Sequence, residues 1–289
     1  MDFSNANGTG SGDPVFNGGC EVATGRTGAD ILNPPNSTFL PALASPPRRY
    51  DSVKRALDFF AALALFAALL PLIGAAWLLV RATSRGAGIY SQIRVGLGGR
   101  PFRIYKLRSM VYNCEATTGG AKWSTAGDAR VTPIGRIFRK LHIDELPQLV
   151  NVLRGDMSLI GPRPERPEFV KPLTALFPEY KLRLAVRPGV TGLAQIQLPP
   201  DTDLDSVRRK IVLDRAYIDD RSVWLDLRLL VGTVIYLAGV PYGVVRNILT
   251  LPNPLIAEQS CTPSVESTPS LDFSPASFVG RTLGKGRVR

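Results

Sequence analysis

The sequence predicts an α+β, mainly helical protein, in which a re-entrant membrane helix is joined to a small cytoplasmic domain with short strands and interfacial amphipathic helices. Three observations carry this expectation. Ala56 to Val80, ALDFFAALALFAALLPLIGAAWLLV, is an apolar run with Asp58 as its only charge. At ~1.5 Å per residue it is long enough to cross a ~30 Å hydrocarbon layer. Basic residues flank it on both sides, and the segments that follow are short, punctuated by Gly and Pro, and alternate between strand and helix periods.

Residues 1–46 are rich in Gly, Asn, Ser, Thr and Pro without periodicity, and read as a disordered tail. No basic start leads directly into an apolar run, so a cleaved signal peptide is not expected. Residues 47–85 hold the membrane element. Lysines and arginines concentrate on the cytoplasmic side of a single span. Here Arg48, Arg49, Lys54 and Arg55 precede the run, and Arg81, Arg85, Arg94 and Arg100 follow it. Pro71 lies past its middle, where it removes a backbone donor and bends a helix. A helix-break-helix entering and leaving through one leaflet accounts for both facts. A buried core helix is the alternative.

The domain proper is expected over residues 86–245. Residues 86–110 read as a glycine turn between two short strands. Alternation in the second strand places Phe102, Ile104, Lys106 and Arg108 on one face and Arg103, Tyr105 and Leu107 on the other. Lys106 and Arg108 could then point at one phosphate; the same residues equally suit a solvated edge strand. Residues 111–130 form a loop. Ile134, Ile137, Phe138 and Leu141 recur at helical spacing, with Arg136, Arg139 and Lys140 on the other side. Residues 168–185 suggest helices interrupted by Pro172 and Pro178, and 187–196 a turn into a strand with Thr191 and Gly192 at the bend. Arg208 to Tyr217 is an amphipathic helix. Val223 to Val245 is a second apolar element whose Asp226, Arg228, Gly239 and Pro241 argue against a clean span, so it should lie in the interface or pack on the first element. Residues 246–289 read as a disordered basic tail.

The net charge of +11 points to anionic partners: nucleic acid, anionic lipid or phosphorylated metabolites. Three widely spaced cysteines fit neither a disulfide framework nor a zinc site. With His142 as the only histidine, a His-rich metal site is excluded.

The candidate chemistry lies in RKLHIDELPQLVNVLRGDMSLIGPRPE, Arg139 to Glu165. Asp144 and Glu145 stand near a helix N-terminus, with Pro147 tolerated in the first turn. An aspartate of pKa ~3.9 is already an anion at neutral pH and needs no base to act as a nucleophile. Attack on an anionic phosphate would need cations, which Arg139, Lys106 and Arg108 could supply, and the hard oxygens of an Asp-Glu pair suit Mg²⁺. Plain N-capping remains the commoner role of such a pair. Arg163, held between Pro162 and Pro164, can be presented to a ligand at low entropy cost, although an isolated turn of this kind is usually just a loop.

These stretches together resemble the bacterial sugar transferase family, the monotopic phosphoglycosyl transferases. The resemblance rests on KRALDFF (54–60), YSQIRVGLGGRPFRIYKLRSM (90–110), the Arg139–Glu165 stretch, RPGVTGLAQ (187–195) and YIDDRSVWLDLRLL (217–230), and covers roughly residues 50 to 240. It implies that residues 86–245 are a catalytic domain. The implied reaction transfers a sugar 1-phosphate from a UDP-sugar to polyprenol phosphate, giving polyprenol diphosphate sugar and UMP at the start of surface polysaccharide or glycoconjugate synthesis. It implies Asp144 as the nucleophile of a covalent phosphosugar intermediate, Glu145 as its catalytic partner, and Mg²⁺ at the diphosphate near Asp144. Lys106, Arg108 and Arg139 would bind phosphate; Pro162, Arg163, Pro164 and Arg187 would face the nucleotide sugar. Pro71 would be the membrane break at the cytoplasmic face of the bacterial inner membrane, although Leu70 stands where the family often has serine. The short polar tail leaves no room for the multi-span N-terminal domain of larger members. The alternative function is a non-catalytic membrane-anchored basic scaffold or nucleic-acid-binding protein; the resemblance implies no nucleic acid. It leaves the sugar and any homo-oligomer open.

Overall fold

The computed structural model describes residues 49–112, 114, 127–199 and 203–252. The tail expected over 1–46, most of the 111–130 loop and residues 253–289 lie outside them. Helix α1, Arg49–Thr83, contains the apolar run. It is the one described helix long and apolar enough to cross a membrane. Only Asp58, Ala62, Ile73, Ala76 and Val80 are buried along it. Phe60 and Leu78 are 67% and 61% exposed. A buried core helix would cover these side chains, so the outer face of α1 is an apolar surface of the kind that calls for lipid. The break expected at Pro71 does not form: α1 is one helix, with helical backbone on both sides of the proline.

Both halves of α1 are fastened to the rest of the protein. Near its start, Arg55 donates to the carbonyls of Val152 and Leu153 at 2.6 and 2.9 Å. Asp58 accepts from the Leu159 amide at 3.2 Å. Tyr50 and Lys54 both donate to Asp226, at 2.6 and 2.8 Å. Near its end, Ala76 and Val80 pack with Leu107 and Phe138.

The expected hairpin forms. Strands β1 (Ile89–Val95) and β2 (Pro101–Leu107) pair antiparallel, Ile89 opposite Leu107 and Val95 opposite Pro101. Gly98 and Gly99 take positive φ in the turn. The hairpin separates two apolar clusters: Ile104 belongs to the main core with Ala62, Leu149 and Leu213, and Leu107 to the smaller one under the end of α1. Helix α2 (Pro133–Lys140) follows, then a 3₁₀ helix over Ile143–Gln148 that continues into α3, Leu149–Arg154.

Strand β3 (Ser158–Ile160) pairs parallel with β4 (Gly189–Thr191). Between them lie α4 (Pro167–Leu176) and a 3₁₀ helix, Pro178–Ala185. Pro172 sits inside α4 without interrupting it; the carbonyl it leaves unpaired, four residues back, belongs to exposed Glu168 and can be solvated. After the short β4 the chain turns helical, in α5 (Leu193–Gln197), where a longer strand was expected.

Helix α6 (Leu204–Asp220) begins with a capping box between Asp203 and Ser206. The second apolar element divides at Gly239 and Pro241 into α7 (Val223–Leu237) and α8 (Tyr242–Leu249). It buries Leu225, Asp226 and Leu229 against the core and leaves Trp224 66% exposed. The folded unit runs past the expected boundary at 245, because α8 extends to Leu249 and Leu251 is buried in the main core.

Candidate active site

Local sequence builds the turn that presents the acid pair. Thr132 caps α2, its hydroxyl accepting from the Gly135 amide at 3.0 Å, and Pro133 fills the first turn. Gly135 is required by contact: a Cβ there would stand 2.0 Å from the Ser109 carbonyl oxygen, just past the end of β2. His142 then takes a left-handed conformation, φ 55° and ψ 20°. That region is uncommon for residues other than Gly but enriched in His. The reversal starts the 3₁₀ helix, with the Glu145 amide donating to the His142 carbonyl at 3.2 Å. Asp144 and Glu145 thus occupy its first turn.

The two carboxylates have different surroundings. Glu145 Oε1 accepts from Lys106 Nζ at 2.7 Å and from Arg163 Nη2 at 2.6 Å. Burial alone would raise its pKa, but Arg163 and Lys106 outweigh this and hold it well below the usual carboxylate range. Asp144 is only 6% exposed. Burial first, and the Glu145 charge second, push its pKa up against the opposing pull of Lys106, Arg139 and Arg163. Among the described residues, no side chain hydrogen-bonds the Asp144 carboxylate. Lys106, Arg139 and Arg163 all act on Asp144, a local field suited to an anionic ligand.

The Pro162–Arg163–Pro164 turn is held by its backbone. The carbonyl of Pro162 accepts from the Gly189 amide at 2.9 Å, and that of Glu165 from the Val95 amide at 2.9 Å. The carbonyl of Arg163 accepts from Arg183 at 2.9 Å, and that of Pro164 from Arg94 at 3.0 Å. Arg183 is itself buried, paired to Asp214 at 2.6 Å and lying over the Tyr180 ring at 4.7 Å. Lys210 and Arg94 pair with Glu165 at 2.7 and 3.5 Å.

The family profile for bacterial sugar transferases matches residues 49–239, which contain α1, the hairpin, the acid pair and the Pro-Arg-Pro turn. The chain belongs to the bacterial sugar transferase family. It is 44% identical over 214 residues to a UDP-N-acetylgalactosamine-undecaprenyl-phosphate N-acetylgalactosaminephosphotransferase of Aeromonas hydrophila, covering 74% of this chain and 49% of that protein. It is also 44% identical over 199 residues to a UDP-glucose:undecaprenyl-phosphate glucose-1-phosphate transferase of Caulobacter vibrioides, covering 68% of this chain and 74% of that one. An exopolysaccharide production protein of Rhizobium leguminosarum is 38% identical over 188 residues, 63% of this chain and 94% of its own. This chain thus spans about half the length of the Aeromonas relative.

In this sugar transferase the residues expected from sequence divide into groups. Asp144, Glu145, Lys106 and Arg163 come together. Arg139 acts electrostatically on Asp144 while its Nε donates to Ser109 at 2.9 Å. Arg108 does not share a ligand with Lys106. Strand β2 stops at Leu107, so alternation no longer orients Arg108, which turns to the Ser84 carbonyl and hydroxyl at 2.9 and 2.7 Å. Arg187 donates to the Gly155 carbonyl at 3.2 Å, at the end of α3. Sequence reasoning missed Arg183, Asp214, Glu165, Lys210 and Arg94, which carry no local motif.

Among the described residues, no group of three or more His, Cys, Asp or Glu side chains is gathered to hold a metal. Glu145 is already engaged by two cations. Of the pair, Asp144 is the carboxylate left to hold a hard cation such as Mg²⁺. The pair does not form an all-protein cage.

Proposed function

We propose that this sugar transferase moves a sugar 1-phosphate from a UDP-sugar to polyprenol phosphate, through an aspartyl-phosphosugar intermediate on Asp144. One observation carries the reading: of two adjacent buried carboxylates, Glu145 is saturated by cations while Asp144 keeps its oxygens unbonded within the same positive field. An Asp144 oxygen attacks the phosphorus that bears the sugar. The bond from that phosphorus to the bridging oxygen breaks, and UMP leaves with the electron pair. An oxygen of polyprenol phosphate then attacks the same phosphorus and releases the Asp144 carboxylate. Dividing one displacement into two lets a soluble and a lipid substrate use one nucleophile in turn.

Lys106, Arg139 and Arg163 offset the repulsion between the Asp144 anion and the diphosphate, the preorganised electrostatic role that is usually the largest catalytic term. Glu145 keeps two of those cations in place. Mg²⁺, when bound, supplies further neutralisation of diphosphate charge, with Asp144 as the carboxylate available to hold it. The names of the relatives from Aeromonas and Caulobacter support both the UDP-sugar and the polyprenol acceptor.

Although α1 runs unbroken through Pro71, the attachment of both its halves to the same folded unit supports entry and exit at one face, with the catalytic domain at the cytoplasmic face of the inner membrane. A straight span would carry one end away from a domain on one side of the bilayer. Single-turnover release of UMP from a UDP-sugar panel, without added lipid, tests the reaction. Wild type should give one UMP per site with the correct sugar, and Asp144→Asn none. Normal product formation by Asp144→Asn would overturn the nucleophile assignment.

A further inference from the structure

The end of α1 holds a cation that the reaction above does not use. Arg108 is 6% exposed, and its Nη2 is spent on Ser84. Its Nε and Nη1 are both buried without a hydrogen-bond partner. Leaving two donors of a buried guanidinium unmet is costly, and most buried polar groups in native proteins are satisfied. Among the described residues no carboxylate pairs with Arg108. After burial, the strongest influence on it is a second cation, Arg81, and the two together push its pKa down. Glycine at 86 lets the guanidinium pack close against the backbone. Gly86 has φ 99°, and a Cβ there would come within 2.5 Å of Arg108 Nη1.

We infer that Arg108 and Arg81, at the end of α1, form a second anion seat, distinct from the Lys106–Glu145–Arg163 cluster, which receives the phosphate of a lipid. Arg81 is the first residue after the apolar run, and Ser84 lies one turn further on. That is the level at which headgroup phosphates lie beside a membrane helix. Side chains around the seat suit the same level. Trp77 packs at Gly88 and Tyr112 at Gly86. Tryptophan and tyrosine are enriched at membrane–water interfaces. A free phosphate would have no use for this apolar rim.

The seat also connects to the acid pair. Ser109, next in the chain to Arg108, accepts from Arg139, and Arg139 is among the cations acting on Asp144. On the reading that one substrate is polyprenol phosphate, on which this inference rests, the two phosphates have separate landing sites. The donor diphosphate meets Lys106, Arg139 and Arg163, and the acceptor phosphate meets Arg108 first.

The test uses the full chain in phosphatidylcholine nanodiscs, titrated with polyprenol phosphate, with phosphatidylglycerol and inorganic phosphate as competitors and no UDP-sugar present. A chain inert in the UMP assay would still give a reading here, so the two ideas fail separately. Arg108→Gln should bind polyprenol phosphate at least tenfold more weakly than wild type. Arg208→Gln, which removes an exposed cation of α6 that lies over the Phe177 ring, should stay within twofold. Competition by phosphatidylglycerol but not by inorganic phosphate supports a lipid-phosphate seat; competition by inorganic phosphate at equal concentration would overturn the lipid assignment. Equal affinity of wild type and a folded Arg108→Gln would overturn the seat itself. Should Arg108→Gln fail to fold, exposed Arg81→Gln decides: a threefold or larger loss supports the seat, and unchanged affinity removes it.

Discussion

Arg183 reaches the acid pair only through another residue's backbone: it donates to the Arg163 carbonyl at 2.9 Å, and the Arg163 side chain pairs with Glu145 at 2.6 Å. Asp214, behind Arg183, completes a line of buried contacts from α6 to the site. Removing one partner of a buried ion pair leaves an uncompensated charge and costs about 3–5 kcal/mol, whereas replacing both with apolar residues is far milder. Arg183→Met should lower the unfolding free energy of the detergent-solubilised protein, read from chemical denaturation, by that order. Arg183→Met with Asp214→Leu should recover a large part of the loss without restoring the UMP release rate.

Glu145 is held ionised, so its loss should act through the cations it binds. Glu145→Gln is expected to reduce single-turnover UMP release on the order of 10²-fold, comparable with losing an electrostatic stabiliser. The acid limb of the pH–rate profile should persist but move to lower pH, because the variant removes the Glu145 charge that helps push the Asp144 pKa up. A general base tuned toward neutral pH would behave otherwise, its removal abolishing a limb of the profile.

Glu165 provides a pH prediction with a defined sign. Burial works to raise its pKa, but Lys210, Arg94 and Arg183 together bring it to about 2. The unfolded chain titrates glutamate near pH ~4.3. A carboxylate with a depressed folded pKa contributes stability above the unfolded value and loses it as pH falls toward the folded one. The contribution, roughly 3 kcal/mol at ~1.4 kcal/mol per pKa unit, should therefore disappear between about pH 5 and 2. Denaturation across that window should be steeper in wild type than in Glu165→Gln.

Gly135→Ala tests the seating of α2. The added methyl would meet the Ser109 backbone carbonyl at 2.0 Å, which no side-chain rotation can relieve, so the helix must shift. Overpacking of this kind costs typically ~1–3 kcal/mol. Thermal unfolding should show a lowered midpoint, and UMP release should fall as well, because α2 carries Arg139.

Much of the fold was legible because its signals are local. Two-residue alternation and a glycine turn announce the β1–β2 hairpin, and length with apolarity announces α1. The acid pair and Pro162–Arg163–Pro164 turn stand out as short motifs, and the sequence resemblance made them a site. Partner choice was not legible. Lys106 and Arg108 look equivalent by period, yet the strand ends between them and sends each to a different partner. Arg183 reaches Asp214 across 31 residues of sequence, a pairing decided by packing in three dimensions rather than by any spacing. The boundary near 245 was misplaced for a related reason: Leu251 follows a Gly- and Pro-marked break, and only the finished core shows that it returns.

Asp226 draws hydrogen bonds from Tyr50 and Lys54 of α1 as well as from Tyr217 of α6, and Ala62 of α1 lies in the same cluster as Leu159 and Leu213. The apolar helix is thus a structural member of the enzyme rather than a detachable tether. A truncated version beginning at the hairpin would expose a cleft in its own interior and strand the Asp226 carboxylate with one of its three donors. On the proposed topology, maturation of the catalytic unit waits for bilayer insertion, and a water-soluble fragment is the wrong starting point for assays or inhibitor screens.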